Sequence, residues 1–159
     1  MKNGEKKKVL VVENDEQVVA AFQSSLNCAG FDAHATWSGR DALAALESGH
    51  FDLVLTDGYL PDLHVTEFLE RISRLRARPA IVVMQKPLPK LSVARRYQKL
   101  GAYAVMDKRD PVAVGRAIAA CCSGAKSPTL GMTGGPVRLR CRSTRMRAEN
   151  SGKATVFSK

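Results

Sequence analysis

The chain has 159 residues, of which 45% are apolar, and its formal net charge at pH 7 is +10. This length allows one domain with a buried core. The sequence contains no run of about 18 apolar residues, so no membrane span is predicted. The four cysteines show neither CxxC spacing nor a histidine at ligand spacing, so we expect reduced thiols and a cytoplasmic protein rather than a disulfide framework or a metal site.

Short apolar runs alternate along the chain with segments in which apolar residues recur at helical spacing. The predicted strands are residues 8–13, 31–36, 51–56, 80–84 and 102–106. The apolar stripes of the predicted helices lie within residues 18–29, 42–46, 65–75, 91–100 and 112–122. Asn14 or Asp15 is the expected N-cap of the first helix, Gly30 its stop, and Ser38 with Asp41 forms a predicted capping box for the second.

This alternation predicts an α/β fold with a doubly wound, five-stranded parallel sheet and helices on both faces. Right-handed crossovers bring the carboxyl ends of all strands to the same edge of such a sheet. Functional crevices in doubly wound folds lie outside that edge, so the residues that follow the strands are the first candidates for a site.

Polar side chains follow three of the predicted strands. Glu13 and Asn14 end the first, Asp57 ends the third, and Lys108 lies just past the fifth. Two carboxylates and an amide oxygen facing one ammonium make a pocket of hard oxygen ligands, which suits Mg²⁺. A cation and Lys108 together would neutralise Asp57, which otherwise stands at the end of the wholly apolar run Leu53–Leu55.

Other interpretations of these residues remain open at this point. A nucleotide or flavin site is disfavoured, because no GxGxxG follows the first strand and no GxxxxGK[ST] occurs in the chain. Glu13 and Asp57 could be solvated acids at strand ends, and Lys108 could be a surface lysine in the basic turn DKRD.

Residues 7–122 resemble the receiver domain of two-component response regulators. The resemblance rests on VLVVEN at the first strand, FDLVLTDGYLP around the third, and LGAYAVMDK before the lysine, with Pro61 four residues after Asp57 as the most specific feature. It implies a flavodoxin-like receiver domain over residues 7–123.

The resemblance also implies a function. Asp57 would accept a phosphoryl group from a phosphohistidine on a sensor histidine kinase or a histidine phosphotransfer protein. Glu13, Asn14, Asp57 and the backbone carbonyl of Tyr59 would hold Mg²⁺, and Lys108 would pair with a phosphate oxygen. Such a domain is a phosphoacceptor that signals through a downstream protein partner, not an enzyme that turns over a separate substrate.

Several positions depart from the family pattern. Asn14 replaces a second acidic residue, which should weaken Mg²⁺ binding. Met84 stands where a Ser or Thr hydroxyl would bond the phosphoryl group, with Gln85 beside it in place of a small residue. Val105 occupies the position of the aromatic switch residue, and Arg109 follows the lysine where proline is usual. Asp57 and Lys108 are retained, so we expect the acceptor chemistry to persist while the usual relay is altered.

The chain beyond the receiver-like part changes in composition. Residues 124–159 contain eight Lys and Arg against one acidic residue, and they are rich in Gly, Ser, Pro and Thr. We expect a basic, flexible tail. Its charge could attract nucleic acid, but it lacks a DNA-binding motif and has one aromatic residue, so a solubilising extension is favoured and nucleic-acid binding is the weaker alternative.

Two function classes remain. The first is a single-domain phosphoacceptor, which Asp57 and Lys108 favour. The second is a degenerate receiver that binds a protein partner without being phosphorylated, which Met84, Gln85 and Val105 favour.

Overall fold

A computed structural model describes residues 5–127 of the chain. Within this range five strands and five helices alternate. In chain order they are β1 (Lys8–Val12), α1 (Glu16–Cys28), β2 (Asp32–Thr36), α2 (Gly39–Ser48), β3 (Leu53–Asp57), α3 (Val65–Ser73), β4 (Ala80–Gln85), α4 (Leu91–Lys99), β5 (Ala104–Asp107) and α5 (Pro111–Cys122).

The strands form one parallel sheet in the order β2-β1-β3-β4-β5. This confirms the predicted five-stranded, doubly wound α/β fold. The order reverses between β1 and β3, which is the point where this class of fold forms its crevice.

Successive strand residues point to opposite sides of the sheet, and helices cover both faces. One core contains Leu10, Val54 and Val83 together with side chains from α2, α3 and α4. The other contains Val11, Leu55 and further strand residues, together with side chains from α1 and α5. Burial on both faces explains why the central strands are continuous apolar runs rather than alternating ones.

The predicted strand limits differ from the observed ones by one or two residues. β3 begins at Leu53 and includes Asp57, and β4 extends to Gln85. β5 begins at Ala104 rather than at residue 102, because the Ala102 N–H donates to the Tyr97 carbonyl at 3.0 Å and closes the end of α4. Gly101 has a φ of +107° in that closing turn, a conformation that favours glycine.

The helix caps largely follow the sequence. Asp15 caps α1, its carboxylate accepting from the Gln17 and Val18 N–H groups. Ser38 caps α2 by accepting from the Asp41 N–H at 3.1 Å, while the Asp41 carboxylate accepts from the Ser38 hydroxyl at 2.7 Å. The Asp41 carboxylate therefore accepts from the Ser38 hydroxyl and not from the Ser38 N–H, as it would in the predicted capping box.

Most of the predicted tail, and with it the nucleic-acid alternative, lies outside the described residues. No helix within residues 5–127 is long and apolar enough to cross a membrane.

Candidate functional site

Three charged side chains converge at the carboxyl edge of the sheet. Glu13 directly follows β1, Asp57 is the last residue of β3, and Lys108 directly follows β5. Lys108 Nζ lies 2.5 Å from Glu13 Oε2 and 2.9 Å from Asp57 Oδ2. The parallel topology thus joins residues that are more than forty positions apart in sequence.

Burial makes this cluster depend on charge pairing. Glu13 is fully buried, Asp57 is 7% exposed, and the Lys108 side chain is 18% exposed. Burial by itself lowers the pKa of Lys108, but the hydrogen bonds and charges of Glu13 and Asp57 outweigh it, so this pKa lies above its ordinary value. Lys108 is therefore an ammonium at neutral pH, and this charge makes the two carboxylates tolerable at the end of an apolar sheet.

The oxygen ligands at this edge are compatible with a hard cation. Two carboxylates reach the same ammonium, and the Tyr59 N–H donates to Asp57 Oδ1 at 3.2 Å, which puts the Tyr59 peptide beside that carboxylate. Within residues 5–127 no group of three or more His, Cys, Asp or Glu side chains could hold a metal ion. A Mg²⁺ site would therefore need the amide of Asn14, which is exposed, or the Tyr59 carbonyl.

A pocket of about 380 Å³ opens above Asp57. Its polar and charged lining consists of Asp15, Asp57, Tyr59, Lys86, Lys108 and Arg109. From the sequence, Asp15 was predicted only as a helix cap. Its position directly after Glu13 and Asn14, at the end of β1, was the signal that it could also face the site.

Two further cations stand at the rim of this pocket, Lys86 and Arg109. Arg109 is bound by Asp107, with Nη2 2.6 Å from Oδ2 and Nε 3.0 Å from Oδ1. The hydrogen bond from the Arg109 side chain lowers the pKa of Asp107 to about 2. This ion pair closes the turn after β5, where the family pattern has proline; the cis X-Pro bond of the described chain lies instead between Lys86 and Pro87.

The altered switch residues lie on the last two strands, Met84 and Gln85 at the end of β4 and Val105 as the second residue of β5. Met84 is the register partner of Asp57, and its fully buried side chain packs in the core beneath α1 and α5. Val105 is partly buried and packs against the opposite core. Met84 carries no hydroxyl and Val105 no aromatic ring, so the usual hydroxyl and ring are missing from these positions.

Gln85 makes a contact that the sequence did not predict. It is 5% exposed, and its Nε2 donates to Tyr59 Oη at 2.9 Å. Gln85 Oε1 is buried without a hydrogen-bond partner. A Cβ on Gly58 would lie 2.6 Å from this oxygen, so the glycine after Asp57 provides the space that the Gln85 amide fills. Gln85 and Tyr59 are 26 residues apart, and only the tertiary structure could reveal this pair.

Replacing Asp57 by asparagine should leave the free energy of unfolding unchanged or raise it by about 1 kcal/mol. The substitution removes one of two carboxylates that share a single ammonium, and it leaves the Glu13–Lys108 pair intact. Urea unfolding of both proteins measures the difference. A loss above about 2 kcal/mol would show that Asp57 is needed for folding rather than for chemistry.

Comparisons with known proteins agree with this fold. A model of the response regulator receiver domain family matches residues 9–118. The chain is 35% identical over 80 residues to the polar-differentiation response regulator DivK of Brucella ovis, a match that covers 48% of this chain and 65% of DivK. It is 26% identical over 100 residues to the DNA-binding transcriptional regulator NtrC of a Bradyrhizobium strain, covering 63% of this chain and 21% of NtrC. The chain thus spans less than two thirds of either relative.

Solved structures give the same fold. A CheY-like receiver domain protein from Methanospirillum hungatei superposes with a TM-score of 0.64 at 23% identity, over 76% of this chain and 100% of that chain.

Proposed function

Because the chain belongs to the response regulator receiver domain family, we propose that it accepts a phosphoryl group on Asp57 from a phosphohistidine. The donor is a sensor histidine kinase or a histidine phosphotransfer protein. The observation that carries this proposal is the Asp57 carboxylate, which is held at the sheet edge by Lys108 and opens into a pocket lined by cations.

In the proposed transfer, a carboxylate oxygen of Asp57 attacks phosphorus. The phosphorus–nitrogen bond of the donor breaks, and the imidazole leaves with the bonding electron pair and takes up a proton. The Lys108 ammonium moves from the carboxylate to a phosphoryl oxygen and stabilises the negative charge there. Glu13, Asn14, Asp57 and the Tyr59 carbonyl would hold Mg²⁺, which when bound supplies charge neutralisation at the phosphoryl oxygens.

The remaining parts of the proposal follow from this role. The chain acts as a phosphoacceptor rather than as an enzyme with a separate substrate, and it signals by binding a downstream protein. We place it in the cytoplasm, where sensor kinases present their phosphohistidine.

The test is incubation with a small-molecule phosphodonor and Mg²⁺, followed by intact-protein mass spectrometry. We expect a gain of one phosphoryl group that is absent in Asp57→Asn. Asp32→Asn is the matched control, because Asp32 begins β2 and pairs with His34, away from the pocket; it should be modified like the parent protein. Equal modification of parent and Asp57→Asn would place the acceptor elsewhere.

Restoring an acidic residue at position 14 should strengthen Mg²⁺ binding. The Asn14→Asp variant adds one negative charge next to Glu13, and Mg²⁺ affinity rises with the charge of its ligands. We expect at least a severalfold lower dissociation constant for Mg²⁺, measured by titration of the amide signals around Asp57. Equal affinities in the two proteins would remove Asn14 from the metal site.

A second candidate function is a protein-interaction module that works without phosphorylation. The fully buried Met84 favours it, since no hydroxyl stands opposite Asp57 to bind a phosphoryl group. In that case partner binding by Asp57→Asn should equal that of the parent protein, with and without a phosphodonor.

A further inference from the structure

Four polar contacts connect Asp57, Tyr59, Gln85 and Lys108 in a closed loop, here called the Asp57 circuit. The Tyr59 N–H donates to Asp57 Oδ1 at 3.2 Å, and Gln85 Nε2 donates to Tyr59 Oη at 2.9 Å. The Lys108 N–H donates to the Gln85 carbonyl at 3.3 Å, and Lys108 Nζ lies 2.9 Å from Asp57 Oδ2. Each carboxylate oxygen of Asp57 therefore begins one branch of the circuit, and both branches end at Gln85.

The contact between Gln85 and Tyr59 is the only one in this circuit between two uncharged side chains, so it is weaker than the charge-assisted contacts to Asp57. Gln85 is buried with one amide oxygen unsatisfied, so its present position does not meet all its hydrogen-bonding needs. Tyr59 is 60% exposed, so water can replace Gln85 as the partner of its hydroxyl. A further backbone contact at this edge, from the Gly58 N–H to the Met84 carbonyl at 2.7 Å, ties the segment after Asp57 to β4, as the Lys108–Gln85 contact does for the segment after β5.

Phosphorylation of Asp57 changes both branches at once. One carboxylate oxygen becomes bonded to phosphorus, and the strongest acceptors are then the phosphoryl oxygens, farther out in the pocket. Lys108 follows them with its ammonium, and the Tyr59 N–H loses an ionised acceptor. The Tyr59 branch thereby loses its charged anchor on Asp57, whereas the Gln85 backbone stays bonded to the Lys108 N–H at 3.3 Å.

We propose that phosphorylation of Asp57 breaks the Gln85–Tyr59 hydrogen bond and releases the exposed Tyr59 ring, so that this pair is the switch of the chain. The inference rests on the proposed function. Gln85 is a positioning residue that acts through Tyr59. The signal leaves through the segment between β3 and α3, in place of the route through positions 84 and 105, where Met84 and Val105 offer no hydroxyl and no ring.

The first test follows the ring signals of Tyr59 by NMR with tyrosine labelled selectively, in the presence of Mg²⁺ and beryllofluoride as a phosphoryl mimic. We expect the Tyr59 signals of the parent protein to move on beryllofluoride addition towards those of unliganded Gln85→Ala. In Gln85→Ala itself the same addition should move them little. Tyr103 serves as the internal reference, and Tyr59→Phe provides the assignment.

The second test uses the affinity for beryllofluoride. In Tyr59→Phe the hydrogen bond no longer has to break, so binding should become about threefold to tenfold tighter, the range that one neutral hydrogen bond supports. Gln85→Ala should show the same gain, and the double variant should gain no more than either single one, because both remove the same contact.

These outcomes separate the switch from the proposed function. Beryllofluoride binding is detected by the shift of the Gly58 amide signal. If it binds while the Tyr59 ring signals stay in place, or move equally in Gln85→Ala, the proposed role of the Gln85–Tyr59 hydrogen bond is wrong and the acceptor role of Asp57 stands. Independent, additive gains in the two single variants would also overturn it. If beryllofluoride changes nothing near Asp57, both the acceptor role and the switch are wrong.

Discussion

Replacing Lys108 by methionine is expected to lower the free energy of unfolding by about 3 kcal/mol, near the lower end of the range for breaking a buried ion pair. Methionine keeps much of the apolar stem but removes the ammonium that lies 2.5 Å from Glu13 and 2.9 Å from Asp57. Two carboxylates are then left without their counter-ion, one of them fully buried. Denaturant unfolding measures the loss.

The matched control is Lys6→Met, a lysine exposed near the N-terminus, which should change the free energy of unfolding by less than about 0.5 kcal/mol. In the background Glu13→Gln with Asp57→Asn, Lys108→Met should cost much less, because no carboxylate remains to be compensated. An equal loss in both backgrounds would mean that Lys108 stabilises the fold through its stem alone.

The contacts of Lys108 with Glu13 and Asp57 also predict that stability depends on pH. The pKa of Lys108 in the folded protein lies above its ordinary value of 10.5, so the ammonium stabilises the fold fully below that value. This stabilisation is lost as pH rises through the higher, folded-state pKa. The stability difference between the parent protein and Lys108→Met should therefore be constant at neutral pH and shrink above about pH 10.5.

Restoring the family hydroxyl with Met84→Thr is expected to destabilise the fold by about 2–3 kcal/mol. Met84 is fully buried among Val82, Ala104 and Val114, so threonine leaves a cavity and brings a hydroxyl into an apolar core. Met84→Leu conserves volume and should cost less than about 1.5 kcal/mol. Similar, small losses in both variants would show that the end of β4 tolerates a polar side chain.

This prediction has a functional counterpart. In the parent protein, beryllofluoride should shift the amide signals of α4 and β5 little, because neither Met84 nor Val105 can respond to a phosphoryl group. The combination Met84→Thr, Gln85→Ala and Val105→Tyr should enlarge those shifts. Large shifts through residues 91–107 in the parent protein that persist in Gln85→Ala would mean that other residues carry the response.

Sequence patterns identified the fold because they are produced by local chemistry. Apolar runs bounded by polar residues and glycines indicated all five strands, with limits that differed by one or two residues. The limits differed because the ends of strands and helices depend on contacts such as the one from the Ala102 N–H to the Tyr97 carbonyl, which ends α4, so that β5 begins only at Ala104. Parallel topology then placed Glu13, Asp57 and Lys108 at one edge without any knowledge of distances.

The sequence by itself thus determined the parallel α/β architecture, the family resemblance and the residues that meet at the sheet edge. Only the tertiary structure decided that Lys108 bridges both carboxylates, that Asp15 and not Asn14 lines the pocket, and that Gln85 donates to Tyr59. The physical reason is one of range. Strands and helices follow from hydrophobic periodicity among neighbouring residues, whereas side-chain pairing depends on strand register and on the space left by residues such as Gly58, which act between distant parts of the chain.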